Sequence, residues 1–313
     1  MEKEIKIFYS KDWSDYELLD TGEGEKLEKF GHHVFVRPCE DAFWPKSLSK
    51  KEWEKADGKF WSSKQGAKKG WVFKNTIAEK WPMQYKGIKF LATPTPFRHL
   101  GFFPEQASHW DFIENKIKEA SRGRTSGSLE VRPLKFLNLF GYTGVASLFA
   151  LRAGAEVTHL DASKQSLAWA KENEKLNIDQ FAQGQSLRII EDDALKFLER
   201  EAKRGNKYDA IIMDPPKFGR GPKGEIWKLE EMLPKLLSAV QKVLSEKPLF
   251  VILTSYAVDS SSLSLGYALQ DMMKSFPEDG LRGKGKVEAG ELCVLEKTNE
   301  RTIPLANTAV WIV

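Results

Sequence analysis

Lys135-Phe-Leu-Asn-Leu-Phe-Gly-Tyr-Thr-Gly144 decides how the rest of this chain is read. It opens as a short apolar run without alternation, the pattern of a strand buried on both faces. The run breaks at Gly141, and Gly144 follows three residues later. Val145-Ala-Ser-Leu-Phe-Ala-Leu-Arg152 then has helical spacing and good helix formers. Strand, glycine turn and helix let backbone N–H groups approach a ligand at the carboxyl end of a sheet. Glu156-Val-Thr-His-Leu-Asp161 reads as a second strand ending in a carboxylate. Asp161 lies about twenty residues past Gly141, the spacing at which an acid meets a ribose hydroxyl pair. Gly-x-x-Gly alone is equally well a closely packed turn that binds nothing. The acid on the next strand moves the reading toward an adenosine-containing ligand.

Working outward, strands and helices alternate as in α/β proteins. Ser163 is a helix N-cap ahead of Leu167, Ala170 and Leu176. Ser186–Glu191 is a third strand, and Asp192-Asp193 caps a helix through Leu195, Phe197 and Leu198. Tyr208–Asp214 is a fourth strand, followed by a loop and a helix over roughly Ile226–Leu244. Pro248–Thr254 is a strand and Ser261–Lys274 a helix. Lys286–Lys297 and Pro304–Val313 close the chain as a hairpin, an antiparallel edge on a mostly parallel sheet.

Upstream, short apolar pieces (Ile5–Phe8, His33–Val36, Gly70–Phe73) separated by glycine and charge read as a small β-rich domain over 1–93. Pro94 and Pro96 form a joint, and Ala107–Ala120 is an amphipathic helix carrying Trp110, Ile113 and Ile117. Ser121–Ser128, with Arg122 and Arg124, is a solvated loop. Seven of the ten tryptophans lie in the first 110 residues, interleaved with lysines such as Lys64, Lys68 and Lys74. Two uses fit: stacking platforms for looped RNA, or indoles that give a small β domain enough core. The second accounts for most of them.

The 313 residues, 41% hydrophobic and 29% charged, fit a soluble globular protein. No apolar run reaches membrane-spanning length, and the first residues lack a secretion signal's apolar core. Cys39 and Cys293 stand far apart without metal-type spacing, which suggests reduced thiols and a cytoplasmic setting. Five scattered histidines form no metal motif. A formal charge of +4 is compatible with a nucleic-acid substrate without requiring one.

The element that selects the ligand is Asp214-Pro-Pro-Lys-Phe218, where the fourth strand ends. Two prolines stiffen the backbone as it leaves the sheet and can aim carbonyl oxygens at a polar substrate edge, with Phe218 placed to stack on a base. Here the sequence resembles the class I S-adenosylmethionine-dependent methyltransferases, with a Rossmann-like sheet. More narrowly, it resembles the branch that methylates large-subunit ribosomal RNA. The residues carrying this are Asn138–Gly144, Asp161-Ala-Ser163, Asp192-Asp193-Ala194 and Asp214–Phe218, with Gly101–Gln106 ahead of them. The likeness covers about residues 97–313, and the first 90 depart from the PUA-type domain of that branch.

The resemblance implies a methyltransferase domain over 94–313 that binds S-adenosylmethionine. The turn Phe140, Gly141, Tyr142, Thr143 and Gly144 would meet the methionine end. Asp161 would accept hydrogen bonds from the ribose hydroxyls, and Asp193 would meet the adenine amino group. Gln106, Asn138, Ala162, Ser163, Asp192 and Ala194 would complete the cofactor-binding set. Asp214 would sit near the sulfonium, and Pro215, Pro216, Lys217 and Phe218 would complete the catalytic corner; Lys217 and Tyr256 are candidates for substrate contact. Carbon-5 methylation of cytosine needs a cysteine nucleophile. Relatives of that kind carry it after the fifth strand, where this chain reads Leu253-Thr-Ser-Tyr256. The expected acceptor is therefore a base nitrogen, or an oxygen, of rRNA or other structured RNA. A methyltransferase acting on a protein or small molecule, and a non-catalytic RNA-binding module, stay open. The nicotinamide oxidoreductases fit poorly, since the turn lacks Gly-x-Gly-x-x-Gly. The sequence names neither the modified nucleotide nor the oligomeric state.

Overall fold

The computed structural model describes residues 4–62, 70–124, 132–256, 261–274 and 285–313. Lys64, Lys68 and residues 125–128 of the sequence reading lie outside them. The chain divides into two compact units. One comprises Met1–Phe8, Ser108–Leu292 and Leu305–Val313; the other comprises Tyr9–Ala107 and Cys293–Pro304. The first strand, β1 (Lys6–Phe8), is the edge of the large sheet, parallel to a late strand in the register Lys6 to Gly290. Residues read as N-terminal domain thus supply a strand to the large sheet.

The smaller unit holds β2 (Tyr16–Gly22), β3 (Glu25–Phe30), β4 (His33–Pro38), the one-turn α1 (Lys50–Trp53), β5 (Gly58–Trp61) and β6 (Gly70–Phe73). They form a sheet in the order β2-β3-β4-β5-β6, and β7 (Trp81–Tyr85) pairs separately with β8 (Ile88–Ala92). Its interior is aromatic: Phe30, Phe35, Trp81 and Phe90 are fully or nearly buried. The tryptophans serve this core. Trp53 donates its ring N–H to Asp20, Trp81 to the Phe30 carbonyl, Trp44 to Thr21 and Trp71 to the Thr95 carbonyl. An indole buries large area yet still finds a partner for its N–H, which suits a unit this small.

The unit also buries an ion pair. Glu28 accepts from both Nε and Nη2 of Arg37, each at 2.7 Å, and from the Tyr16 hydroxyl at 2.9 Å. Burial alone would raise the Glu28 carboxyl, but Arg37 and Lys26 bring it down to about 2.

The larger unit continues with α2 (Ala107–Arg124), β9 (Lys135–Leu139), α3 (Val145–Arg152), β10 (Glu156–Asp161), α4 (Lys164–Lys175), β11 (Arg188–Glu191) and α5 (Ala194–Lys203). Next come β12 (Ala210–Met213), β13 (Phe218–Arg220), β14 (Ile226–Lys228), α6 (Leu229–Val243), β15 (Phe250–Ser255), α7 (Ser262–Lys274), β16 (Lys286–Leu295) and β17 (Thr302–Ile312). The large sheet has the order β1-β16-β17-β15-β12-β9-β10-β11. Strands β15, β12, β9, β10 and β11 are parallel, and β17 is antiparallel to β15.

This is the mostly parallel sheet with antiparallel C-terminal strands that the alternation implied, and the Rossmann-like sheet that the resemblance implied. Alternate side chains face opposite layers. Leu137, Leu139, Ile211, Met213, Val251 and Leu253 pack with α5, α6 and α7. On the other face Phe136 meets Phe250, and Trp110 of α2 stacks on Phe149 of α3 at 5.6 Å.

Three details differ from the sequence reading. The closing strands are not the sheet edge, because β1 lies outside them. Helix α2 runs on to Arg124, through the start of the stretch read as a loop. Ile226–Lys228 is a strand rather than the start of a helix, paired back onto Phe218–Arg220. Cross-strand pairing decides this last case, and local helix propensity does not report on it.

The Glu28 site sets a pH dependence. A carboxyl lowered from 4.5 to about 2 contributes stability that is complete above about pH 4.5 and lost as pH falls through about 2. Glu28→Gln should flatten that limb of the stability profile. Leaving Arg37 buried without its counter-ion should also cost about 3–5 kcal/mol at neutral pH. Urea midpoints between pH 2 and 7 would check both.

Candidate active site

The sheet reverses its winding between β9 and β12, since β10 and β11 follow on one side of β9 while β12 and β15 lie on the other. In open α/β sheets such a switch point leaves a crevice at the carboxyl ends of the strands. Register aligns those ends: Leu139 pairs with Leu160 on one side and Met213 on the other, and Asp161 pairs with Glu191. Phe140, Asp161, Asp192 and Asp214 therefore lie at or just past the last paired residues along one edge.

The turn between β9 and α3 is strained. Phe140, Tyr142 and Gly144 have φ of +58°, +52° and +84°. A non-glycine residue in this region costs about 1–2 kcal/mol, so the surroundings must hold it there. They do so at nearly every peptide. Gly141 N–H donates to the Leu160 carbonyl at 2.9 Å, and Gly144 N–H to the Gly141 carbonyl at 3.0 Å. Tyr142 N–H donates to Asp161 Oδ2 at 2.9 Å. Asn173, fully buried on α4, donates to the Thr143 carbonyl at 2.9 Å.

Beneath the turn lies a buried chain of side chains. His159 Nε2 is 3.3 Å from the Tyr142 carbonyl, which can only accept, so Nε2 carries the hydrogen. Nδ1 must then accept, and Ser147 Oγ lies 3.0 Å from it as donor. Ser147 in turn accepts from the Asn138 amide at 3.0 Å. The neutral Nε2–H imidazole satisfies this chain, and burial pushes the His159 pKa down to about 4. Gly141 is required by this arrangement, because a Cβ there would run into the His159 ring and lie 3.1 Å from Asn138 Cγ. At Gly144 a Cβ would sit 3.1 Å from that of Ala170, on a backbone already at positive φ.

The carboxylates have distinct roles. Asp161 is half-buried; its Oδ1 accepts Ser163 N–H at 2.8 Å while Oδ2 holds Tyr142. Burial raises its pKa, opposed by the N–H groups of Ser163, Tyr142 and Ala162. Asp193 caps α5 through Lys196 N–H at 3.0 Å, and Asp192 pairs with Arg200. Ser163 likewise caps α4, and Ala194 is buried at the start of α5. Asp214 is half-buried and Pro215 buried, while Pro216, Lys217 and Phe218 are exposed.

Trp227, buried on β14, joins this corner to the turn. Its ring N–H donates to the Pro216 carbonyl at 2.7 Å, and its ring meets Phe140 edge-on at 5.0 Å. Gln106 belongs to the other compact unit, buried in the short helix Pro104–Gln106. Tyr256 is half-buried just past β15. Sequence reasoning missed Ser147, His159, Asn173 and Trp227. The usable signal was polarity at positions whose periodicity places them inside the layers. Among the described residues no cluster of His, Cys, Asp or Glu could hold a metal, and no helix is long and apolar enough to cross a membrane.

A doubly wound sheet with a glycine turn and strand-end acids at its switch point is the framework of the class I methyltransferases. The comparisons with known proteins agree. Residues 114–257 match a family model described as conserved hypothetical protein 95. The crystal structure of an S-adenosylmethionine-dependent methyltransferase from Agrobacterium tumefaciens is 39% identical, with a TM-score of 0.86 over 98% of this chain and 93% of that one. Ribosomal RNA large subunit methyltransferase K of Neisseria meningitidis is 34% identical over 200 residues, 62% of this chain and 51% of that protein. Ribosomal RNA large subunit methyltransferase I of Aeromonas salmonicida is 30% identical over 158 residues, 50% of this chain and 36% of that protein. The matches to these two curated relatives span about half of their length or less. The chain belongs to the S-adenosylmethionine-dependent methyltransferases.

Gly141→Ala tests the wiring of the turn. The added methyl group should displace His159 or the turn itself, at a cost of about 1–3 kcal/mol. Denaturant unfolding should show that loss, and calorimetric titration should show S-adenosylmethionine affinity reduced by about tenfold or more.

Proposed function

We propose that this protein transfers the methyl group of S-adenosylmethionine to a base nitrogen of ribosomal RNA or another structured RNA. The observation that carries the reading is the Asp161 carboxylate. It stands half-buried at the switch point, oriented by Tyr142 and Ser163 N–H groups. A carboxylate has about four acceptor positions, so one fixed in this way retains capacity for a ribose hydroxyl. The residues present thus fit the cofactor. Phe140–Gly144 would hold its methionine end, with Asn138 acting from beneath through Ser147. Asp161, Ala162 and Ser163 would hold the ribose, and Asp192, Asp193 and Ala194 would line the adenine.

When bound, the cofactor supplies an electrophilic methyl group on a sulfonium. The chain's own task is to align an acceptor with it and to exclude water. The carbonyls of Pro216 and Lys217 already accept from Trp227 Nε1–H and Leu229 N–H. Asp214 and the Pro215 carbonyl would meet the base edge, with exposed Phe218 beside them to stack on the ring. A carbon acceptor of the cytosine C5 type would need a cysteine nucleophile. Cys39 and Cys293 are both buried, and the end of β15 carries none.

The RNA substrate draws support from the ribosomal RNA methyltransferases among the relatives and from the formal charge of +4. It implies a cytoplasmic setting. Residues 1–93 would contribute substrate contacts through their lysines, since their indoles serve the core, and residues 94–313 would carry out the transfer.

Asp161→Ala removes an acceptor of charge-assisted hydrogen bonds worth about 1.5–3 kcal/mol each. Calorimetry should show S-adenosylmethionine affinity reduced by at least about tenfold. Radiolabelled methyl transfer from wild-type protein should appear in large-subunit rRNA lacking its methyl groups. Folded wild-type protein that binds no cofactor would overturn the reading. Label appearing only in protein or small-molecule fractions would overturn the RNA assignment.

A further inference from the structure

The chain leaving the Pro-Pro corner turns straight back on itself. In the β13–β14 hairpin Phe218 lies opposite Lys228, Gly219 opposite Trp227, and Arg220 opposite Ile226. Directly opposed residues share a face, and neighbours along a strand alternate between faces. Gly219 and Trp227 therefore form one face, and Trp227 is buried. Phe218, Arg220, Ile226 and Lys228 form the other. On it Phe218 is 58% exposed and Ile226 57% exposed, each directly opposite a cation.

A two-stranded ribbon is marginal by itself, but this one is tied down. Trp227 holds the Pro216 carbonyl, Leu229 N–H holds that of Lys217, and Gly221 N–H donates to the Glu225 carbonyl at 2.8 Å. Residues 217–228 contain four cations and one carboxylate, Glu225. Glu225 is engaged by Lys196 at 2.5 Å and by Lys223 N–H at 2.9 Å. Lys228 contacts Glu231 at an exposed position, an exchangeable pairing.

An aromatic ring and an aliphatic side chain left in water, alternating with cations on a pinned ribbon, match the chemistry of single-stranded RNA. Bases stack on the ring and on a guanidinium, while phosphates meet the charges. We propose that this outward face of the hairpin is an RNA-binding surface that grips the single-stranded segment flanking the target base. The inference rests on the RNA reading above and extends it to residues that the family motif does not include, Arg220, Ile226 and Lys228.

The test is binding of protein-free large-subunit rRNA over a range of salt concentrations, for wild type, Arg220→Ala/Lys228→Ala and Ile226→Ser. Cofactor affinity is measured in parallel by calorimetry. The double variant should bind about tenfold more weakly, with a log–log salt slope shallower by about 1.4, the signature of two lost contacts to single-strand phosphates. Ile226→Ser should weaken binding without changing the slope, and cofactor affinity should be unchanged in both. Wild-type RNA binding with the same affinity and slope in the double variant would overturn the proposal and leave the RNA reading intact. Loss of cofactor affinity together with RNA affinity would also overturn it. Wild-type protein that fails to bind RNA would overturn the RNA reading itself.

Discussion

The Tyr142 peptide is held from both ends, its N–H by Asp161 and its carbonyl by neutral His159. The cofactor side of the structure depends on that clamp. A turn with three residues at positive φ does not persist unaided. Here the strain is offset by hydrogen bonds made in a buried setting, where an unmade bond would be costly. The same bonds orient the acid that would receive the ribose, so the shape of the turn and the aim of the carboxylate are one property. Burial keeps the His159 ring neutral at neutral pH, so Nδ1 stays an acceptor for Ser147.

Trp227 extends that rigidity across the switch point. It sits on a hairpin that begins where β12 ends, yet its ring rests on Phe140 of the glycine turn. The two walls of the crevice therefore share a contact, although Phe140 and Trp227 stand 87 positions apart in the chain. For a reaction that asks mainly for alignment, fixing one wall relative to the other is the contribution a protein can make.

The smaller unit solves a different problem. Its sheet is short, and it builds its interior from aromatic rings and from Glu28 and Arg37, a buried pair satisfied on both sides. Buried ion pairs add little net stability over an apolar filling, but losing either partner is severe. That gives the unit a sensitivity to acid that an all-apolar core would lack.

Much of the methyltransferase sheet was legible in the sequence. Apolar runs of strand length, glycines at a turn and prolines at a strand end are local restrictions on φ, ψ and hydrogen bonding, and they act wherever the chain lies. They placed Asp161 and Asp214 correctly at strand ends and Gly141 and Gly144 in the turn that follows β9. Asp192 and Asp193 were legible as a helix start, and Asp193 does cap α5. Only the tertiary structure decided that Lys6–Phe8 joins the large sheet, that Ile226–Lys228 pairs as a strand, and that Ser147, His159 and Asn173 brace the turn. Each of these depends on a partner chosen by packing from elsewhere in the chain, and local propensity carries no record of it.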